Sequence, residues 1–190
     1  MNHGRSILVH ACCASCSCYV FPHLAATYDV TAYFYNPNIH PEREYLLRLD
    51  EMRRIAGRCG VRLIEGDYRT LRWWKEIWRY RHLPERSERC FACYRHRFEV
   101  SARKAAELGI PLFTSTLSVS PHKVFDRIAA IGAEAGLAYG AAFLAEDFKK
   151  RDGFRKSVEG AREHGLTRQD YCGCLMSLEE ANLRRAARGG

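Results

Sequence analysis

Short apolar runs alternate along the chain with longer segments in which apolar residues recur every three or four positions. The apolar runs predict five β-strands, at residues 6–10, 30–35, 61–64, 112–120 and 137–144. The amphipathic segments predict helices at residues 41–58, 89–108, 122–135 and 178–187. Strands that alternate with helices are typical of parallel β–α–β units with right-handed crossovers. The pattern therefore predicts an open α/β fold built on a parallel sheet.

This architecture also predicts where a ligand would bind. In open parallel sheets, ligands lie beyond the carboxyl ends of the strands. The stretch HACCASCSC, residues 10–18, begins where the first strand should end and brings four cysteines to the start of the next helix. Backbone amides and the helix dipole at such a junction favour thiolates over thiols. We therefore expect the chemistry of this protein at the carboxyl edge of the sheet.

Length and composition set the broad class. A chain of 190 residues fits a single domain, residues 1–190, and 47% hydrophobic residues allow a sizeable core. The net charge of +8 favours an anionic partner such as RNA, a nucleotide or an acidic protein, although a solvated basic surface would give the same count. The apolar run at residues 7–9 is too short for a secretory segment or a membrane span. We expect a soluble, cytoplasmic protein that needs no membrane.

Nine cysteines form three groups and one isolated residue. The groups are Cys12, Cys13, Cys16 and Cys18; Cys90 and Cys93; and Cys172 and Cys174, while Cys59 stands alone. In a reducing compartment, clustered cysteines favour metal ligation or redox chemistry over disulfides. Iron–sulfur, zinc and dithiol redox chemistry all stay open on residue types alone, because each uses thiolates. Cys18 and Cys59 favour ordinary packing.

Six motifs, taken together, resemble one enzyme family. They are HACCASC, FYNPNIHP, ERSERCFACYRHR, TSTLSVSPHK, EDFKKRDGFRKS and RQDYCGC. In this order and at this spacing they are similar to the metal-dependent epoxyqueuosine reductases of the QueH type, and the resemblance runs from His10 to Ser177. It implies a Rossmann-like parallel sheet of the adenine-nucleotide α-hydrolase (HUP) kind. It also implies a cysteine-rich metal site at the carboxyl edge of the strands.

The resemblance implies a specific reaction and its cofactors. The reaction is the reduction of epoxyqueuosine to queuosine at the wobble position of tRNA, the final step of queuosine biosynthesis. The implied cofactors are a [4Fe-4S] cluster and a second, mononuclear iron, and the implied electron donor is a low-potential protein of the ferredoxin or flavodoxin type. The ligands carried over from the motifs are Cys12, Cys13, Cys16, Cys90, Cys93, Cys172 and Cys174. We expect all but Cys16 to contact the cofactor, with the division between cluster and single iron left open.

Two positions depart from the family pattern. Ser15 stands where the family usually has proline, and Ser87 where glycine is common. Serine lacks the fixed φ of proline, although it is a good helix cap. Neither change removes a predicted ligand.

Removal of an epoxide oxygen needs two electrons, a source of protons and a group that holds the departing oxygen. A low-potential cluster can supply the electrons, and an iron can polarise the oxygen. The catalytic candidates are Asp147, Lys149, His122 and Tyr35. Asp147 is preferred, with an exposed charged turn as the alternative interpretation of residues 146–150. His10, inside the first strand, favours a packed histidine bonded to backbone.

Two segments combine cations with aromatic residues. Residues 147–157, DFKKRDGFRKS, interleave Phe148 and Phe154 with cations, namely Lys149, Lys150, Arg151, Arg155 and Lys156. Bases in RNA loops stack on aromatic rings while cations hold phosphates, so we expect an RNA-binding surface there. Residues 69–82 carry four arginines and three tryptophans. The spacing of Trp74 and Trp78 favours a buried helical stripe over a second RNA surface.

Three other functions remain as alternatives. An ATP-dependent tRNA-thiolating enzyme needs a glycine-rich loop after the first strand, and HACCASCS contains no glycine. A dithiol oxidoreductase would use CFAC but would leave the other cysteine groups unexplained. A zinc-stabilised RNA-binding module without redox activity would account for the cysteines and the basic charge. Zinc protein is colourless, whereas iron–sulfur protein purified without oxygen is brown.

Overall fold

A computed structural model describes residues 5–188 of the chain. Its five strands are β1 (Ser6–His10), β2 (Asp29–Phe34), β3 (Arg62–Glu65), β4 (Leu112–Ser115) and β5 (Ala142–Phe143). They form one sheet in the order β3-β2-β1-β4-β5, and every pairing is parallel. The predicted α/β class and parallel sheet are confirmed. The strand order reverses at β1, so the switch point of the sheet lies beside the first cysteine motif.

Within residues 5–188, seven α-helices accompany this sheet. They are α1 (Ala14–Ala25), α2 (Glu42–Arg58), α3 (Thr70–Ile77), α4 (Glu88–Glu107), α5 (Phe125–Tyr139), α6 (Gly153–Glu163) and α7 (Leu175–Ala186). Side chains alternate between the two faces of β1. Ile7 and Val9 pack with α1, α2 and α6, whereas Leu8 packs with α4 and α5. Helices therefore cover both faces, and the carboxyl ends of the strands stay open for a site.

The last two strands are shorter than predicted. β4 ends at Ser115, whose side-chain oxygen accepts a hydrogen bond from the Leu117 amide at 3.2 Å and starts a 3₁₀ turn, Thr116–Val119. The predicted strand at 137–144 is wrong over most of its length. α5 continues to Tyr139 and ends at Gly140, whose positive φ of 76° terminates the helix.

The first residues of two helices also differ from the predicted ones. α5 begins at Phe125 instead of residue 122, and α7 begins at Leu175 instead of residue 178. α3 and α6 were not predicted as helices, because each is short and rich in charge. Within residues 5–188, no helix combines the length and apolarity that a bilayer span requires.

Candidate metal centre

The first cysteine group lies where the sheet reverses its strand order. Cys13 is the residue before the first turn of α1, and its sulfur is 3.9 Å from that of Cys12. The Cys12 sulfur contacts the Thr116 hydroxyl at 3.4 Å, and the Ser15 hydroxyl donates to the Cys13 sulfur at 3.4 Å. Residues after β1 and β4 therefore meet at these thiols.

The second group opens α4. Cys90 and Cys93 are buried one turn apart on this helix. The backbone N–H of Arg86 donates to the Cys90 sulfur at 3.4 Å. The indole N–H of Trp73, on α3, donates to the Cys93 sulfur at 3.3 Å. This group is thus bonded both to the loop before α4 and to the helix that follows β3.

The third group precedes α7. The sulfurs of Cys172 and Cys174 are 3.7 Å apart, and the Ser177 hydroxyl lies 3.2 and 3.3 Å from them. Between them, Gly173 has φ 119°, and a Cβ there would lie 2.9 Å from the Ile39 side chain. Only glycine meets both the conformation and the close approach without strain.

Arg48 fixes this third group to α2. Its guanidinium is buried, pairs with Glu44 at 2.7 Å, and donates to the carbonyl oxygens of Cys172 and Tyr171 at 3.2 and 3.3 Å. The Gly173 carbonyl oxygen accepts from the His40 amide at 2.8 Å. The FYNPNIHP motif and α2 therefore hold the RQDYCGC motif in place.

One buried cation, Arg97, lies within electrostatic reach of all three groups. Its guanidinium donates to Asn36 Oδ1 at 3.2 Å, and its Nε has no hydrogen-bond partner among residues 5–188. No carboxylate of the described chain pairs with it. Burial acts to lower the Arg97 pKa, but Cys93, Cys12 and Cys172 together raise it. One sulfur from each group therefore lies within electrostatic reach of this charge.

The thiol pKa values differ between the groups. A hydrogen bond with Cys13 and then burial raise the pKa of Cys12 well above its usual value. The same bond acts to lower the pKa of Cys13, but contact with Cys16 and burial outweigh it and raise this pKa to about 12. The prediction that the end of β1 favours thiolates is therefore wrong for the metal-free chain, because burial and neighbouring sulfurs outweigh the helix dipole.

In the third group, the pKa of one thiol is lowered instead of raised. The hydrogen bond from Cys174 holds the pKa of Cys172 well below its usual value, and the charge of Lys123 adds to this effect against the cost of burial. Lys123 pairs with Glu85 at 2.8 Å, and its side chain is 8% exposed. The charge of a buried ammonium therefore acts on the third group, as the charge of Arg97 acts on all three.

The donor set fits metal binding in pairs. Two thiolates on one tetrahedral metal, with metal–sulfur bonds near 2.3 Å, lie about 3.8 Å apart. The Cys12–Cys13 and Cys172–Cys174 separations of 3.9 and 3.7 Å are close to this value. Over residues 5–188, however, no three His, Cys, Asp or Glu side chains are already close enough to hold a metal. The ligand pairs are formed, whereas a complete ligand set is not.

Two of the proposed catalytic side chains are hydrogen-bonded to groups other than the cysteines. The Tyr35 hydroxyl is 2.9 Å from His96 Nε2, and His96 Nδ1 is 2.7 Å from Glu76. His122 is exposed and its ring nitrogen lies 3.3 Å from Arg86. The next residue of the SPHK motif, Lys123, is the one whose charge acts on the thiol of Cys172. The roles of Tyr35 and His122 stay predictions.

The other two catalytic candidates form an ion pair after β5. Asp147 Oδ1 and Lys149 Nζ are 2.9 Å apart, and Lys149 also donates to the Ser118 carbonyl oxygen at 3.5 Å. Asp147 lines a cavity of about 350 Å³ together with Tyr19, His23 and Phe125. Neither Asp147 nor Lys149 makes a hydrogen bond to a cysteine within residues 5–188. Their catalytic role stays a prediction.

The predicted RNA segment is less open than expected. Phe148 is 1% exposed, so its predicted stacking role is wrong; the side chain belongs to the core. Phe154 is 39% exposed. Arg155 pairs with Asp152 and Glu159 at 3.1 and 2.9 Å. Three exposed cations of the predicted set, Lys150, Arg151 and Lys156, have no carboxylate partner within residues 5–188.

The predicted packing residues have the expected environment. His10 is 0% exposed and bonds to the Ser115 hydroxyl at 2.9 Å and the Tyr35 carbonyl oxygen at 3.1 Å. Burial, with the charge of Arg97, lowers its pKa to about 3. Cys18 is buried and donates to the Ser15 carbonyl oxygen at 3.2 Å, and Cys59 is half-buried against the same core. Ordinary packing is confirmed for these three.

A model of the family described as epoxyqueuosine reductase QueH matches residues 7–180. The chain belongs to this family. It is 38% identical to the epoxyqueuosine reductase QueH of Streptococcus pyogenes serotype M1 over 92% of this chain and 71% of that protein. The QueH proteins of Histophilus somni (strain 129Pt) and Thermotoga maritima are 38% and 33% identical, over 100% and 95% of this chain and 79% and 94% of their own lengths. As a QueH family member, the chain is an oxidoreductase.

Proposed function

We propose that this QueH family chain reduces epoxyqueuosine to queuosine at the wobble position of tRNA, using a [4Fe-4S] cluster and a second, mononuclear iron. The observation that carries the proposal is that three cysteine groups lie within electrostatic reach of Arg97, a buried cation without a carboxylate partner in the described chain. A buried unpaired charge is costly unless an anion neutralises it. Thiolates that bind an iron–sulfur centre provide such an anion.

Seven cysteines would hold the two metal centres. They are Cys12, Cys13, Cys16, Cys90, Cys93, Cys172 and Cys174. When bound, the cluster would supply single electrons and the single iron a Lewis acid. The overall change takes up two electrons and two protons; both carbon–oxygen bonds of the epoxide break, a carbon–carbon double bond forms, and the oxygen leaves as water.

Hydrogen bonds to sulfur are the contribution of the chain's own residues to the electron-transfer site. The Ser15 hydroxyl and the N–H groups of Arg86 and Trp73 donate to sulfurs, and the Thr116 hydroxyl contacts the Cys12 sulfur. Such bonds stabilise negative charge on sulfur and so favour the reduced state. Arg97 and Lys123 act in the same direction through their charges.

Proton transfer remains assigned to Asp147 and Lys149, on the loop after β5. These two groups form an ion pair at 2.9 Å beside the 350 Å³ cavity, at the same sheet edge as the cysteines. The Asp147 carboxylate would hold the Lys149 ammonium in place, and that ammonium would donate a proton to the departing oxygen. Tyr35 and His122, which face other partners, are the weaker candidates.

The fold and the partners follow from the same proposal. We infer a sheet of the adenine-nucleotide α-hydrolase kind in which HACCASC replaces the glycine-rich pyrophosphate loop. The partners are tRNA carrying epoxyqueuosine and a low-potential electron donor of the ferredoxin or flavodoxin type. A cytoplasmic location fits thiols that have to stay reduced to bind metal.

The test is an anaerobic assay of iron-reconstituted protein with epoxyqueuosine-containing tRNA and a chemical reductant, with the nucleosides analysed by mass spectrometry. The wild-type chain and the matched control Cys59→Ser should convert the nucleoside with loss of one oxygen mass. Cys93→Ser and Cys172→Ser should not. An unchanged nucleoside, in the presence of an intact cluster and with a validated reductase active on the same tRNA, would refute the proposal.

A zinc-stabilised RNA-binding module is the second candidate, because the two sulfur separations match tetrahedral zinc ligation. Anaerobically purified protein would then contain zinc and be colourless. The reductase requires iron and visible absorption that decreases when the cluster is reduced.

A further inference from the structure

The segment that follows β3 exposes an aromatic side chain beside the cysteine site. Trp78 starts a 3₁₀ turn, Trp78–Tyr80, directly after α3 and is 56% exposed. Its neighbours on α3 behave differently: Trp73 is 1% exposed and Trp74 is half-buried. The prediction of a buried tryptophan stripe is therefore correct for Trp73 and wrong for Trp78.

The three tryptophans link the site to the surface. Trp73 donates to the Cys93 sulfur at 3.3 Å, and its ring centroid is 5.0 Å from that of Trp74. The Trp74 and Trp78 centroids are 6.0 Å apart. Trp78 thus lies two aromatic contacts away from a predicted metal ligand.

Unpaired cations surround the exposed ring. Residues 69–82 contain five Lys and Arg residues and one carboxylate, Glu76, which is bonded to His96. Arg69 pairs with Asp67 at 3.3 Å. The other four, Arg72, Lys75, Arg79 and Arg81, are exposed and have no carboxylate within 4 Å in residues 5–188. The Arg81 guanidinium lies 4.1 Å from the Trp78 ring centroid.

We propose that Trp78, Arg79 and Arg81 form a contact surface for the anticodon loop, with a loop base stacked on Trp78 and phosphates bound by the arginines. An exposed aromatic ring among free cations matches single-stranded RNA, because bases stack on rings while cations neutralise phosphates. Because Trp78 is linked through Trp74 and Trp73 to Cys93, this surface lies within reach of nucleotides that flank a base at the metal site. The inference rests on the proposed function and specifies where its RNA substrate binds.

A cavity next to this surface is less suited to bind RNA. It has a volume of about 310 Å³ and is lined by Lys75 and Arg79, but also by Glu76 and Glu99. Two carboxylates would repel a phosphate there. The RNA contacts therefore belong to the exposed ring and its arginines.

The test measures the affinity of iron-reconstituted protein for fluorescently labelled tRNA by anisotropy. Trp78→Ala should weaken binding by about tenfold or more, and Trp78→Phe by much less, because a phenyl ring still stacks. Leu137→Ala, which removes another exposed apolar side chain at the opposite end of the sheet, is the matched control and should bind as the wild type does.

Arg79→Gln with Arg81→Gln should lower the slope of log K against log salt by about 1.4, since each single-strand phosphate contact contributes about 0.7. Arg62→Gln, an exposed cation at the amino end of β3, is its control.

Affinity of Trp78→Ala within twofold of wild type would overturn the inference. It would also be overturned if Trp78→Ala bound tRNA normally but accepted electrons more slowly from an acidic carrier protein, because the surface would then serve a protein partner. Failure of the proposed function has a different signature, since the wild-type protein itself would leave epoxyqueuosine unchanged. The RNA affinities of the variants are read separately from that conversion.

Discussion

Two sets of arginines lie close to the cysteine site and face opposite environments. Arg97 and Arg48 are buried beneath it, and Arg79 and Arg81 are exposed beside it. A buried charge is barely screened by salt, whereas an exposed charge beyond about 10 Å is largely screened at 0.1 M. The buried set therefore acts on whatever is fixed in the site. The exposed set can attract and hold an anion that arrives from solution.

The two buried arginines differ in their partners. Arg48 has a carboxylate partner, Glu44, and two backbone carbonyl partners. Arg97 has one amide oxygen as a hydrogen-bond partner and no carboxylate partner within residues 5–188, although sulfurs of the three cysteine groups lie within electrostatic reach. The difference separates an arginine that holds the backbone from one whose charge acts on the cysteine groups.

The largest effect should follow Arg48→Met. This change leaves Glu44 and two carbonyl oxygens without their donor, so the free energy of unfolding should fall by about 3 kcal/mol, as for other broken buried pairs. Urea unfolding of the metal-free protein measures it. Arg48→Lys is the control and should recover part of the loss. A change below about 1 kcal/mol would show that Arg48 does not hold the third cysteine group in place.

Arg97→Met should separate stability from metal binding. Loss of a buried, uncompensated charge leaves the unfolding free energy of the metal-free protein nearly unchanged or raises it. Affinity for iron should fall about 10- to 100-fold, the usual cost of removing a group that supports metal ligands. Chelator competition and iron content measure the second effect. A metal-free Arg97→Met protein as unstable as Arg48→Met would remove the distinction between the two arginines.

Salt should distinguish the buried from the exposed set. Combined replacement of Arg72, Arg79 and Arg81 by glutamine should lower the salt slope of tRNA binding by about 2. Arg155→Gln should change it less, because Arg155 is already paired with Asp152 and Glu159. Titrations at several salt concentrations provide the slopes. Equal slopes for the triple variant and the wild type would show that these cations contact no phosphate.

The smallest change in the free energy of unfolding should follow the loss of an exposed ion pair, Arg185 with Asp170. Hydrogen bonds from Arg185 hold the pKa of Asp170 below its ordinary 3.8. The pair therefore stabilises the fold above pH 3.8, and this contribution is lost as the pH falls through the lower folded pKa. Asp170→Asn should cost less than about 1 kcal/mol at neutral pH, because both side chains are half exposed. Urea unfolding at neutral and acidic pH should show a difference between variant and wild type only at neutral pH.

Local patterns predicted most of the sheet but failed near its second edge. β1 has its predicted bounds, and β2 and β3 lie within one residue of theirs, because their apolar runs are distinct. The alanine- and glycine-rich stretch before β5 resembles a helix end and a strand equally well. Gly140 was interpreted as an interior residue of a strand, whereas its positive φ ends α5.

The sequence predicts the features of the site that lie within single motifs. It does not predict which residues of distant segments come close to one another. The three cysteine groups are visible in the sequence. For Arg97, the only local signal of its role is its spacing of four residues, about one helical turn, from Cys93. That the same guanidinium also faces Cys12 and Cys172 follows from the topology of the sheet. Trp78 was misplaced because a spacing of four residues keeps one face only within an α-helix, and α3 ends at Ile77 before a 3₁₀ turn.

The separation of the cysteine groups along the chain has a consequence for biosynthesis. The end of β1, the start of α4 and the start of α7 are far apart in sequence, and Arg48 and Gly173 bring the last of them to the site. A ribosome-bound chain that has not yet emerged beyond residue 174 cannot present all three groups to a metal. Insertion of a centre that uses all three groups must therefore follow their translation, and the free energy of binding is then added to that of folding.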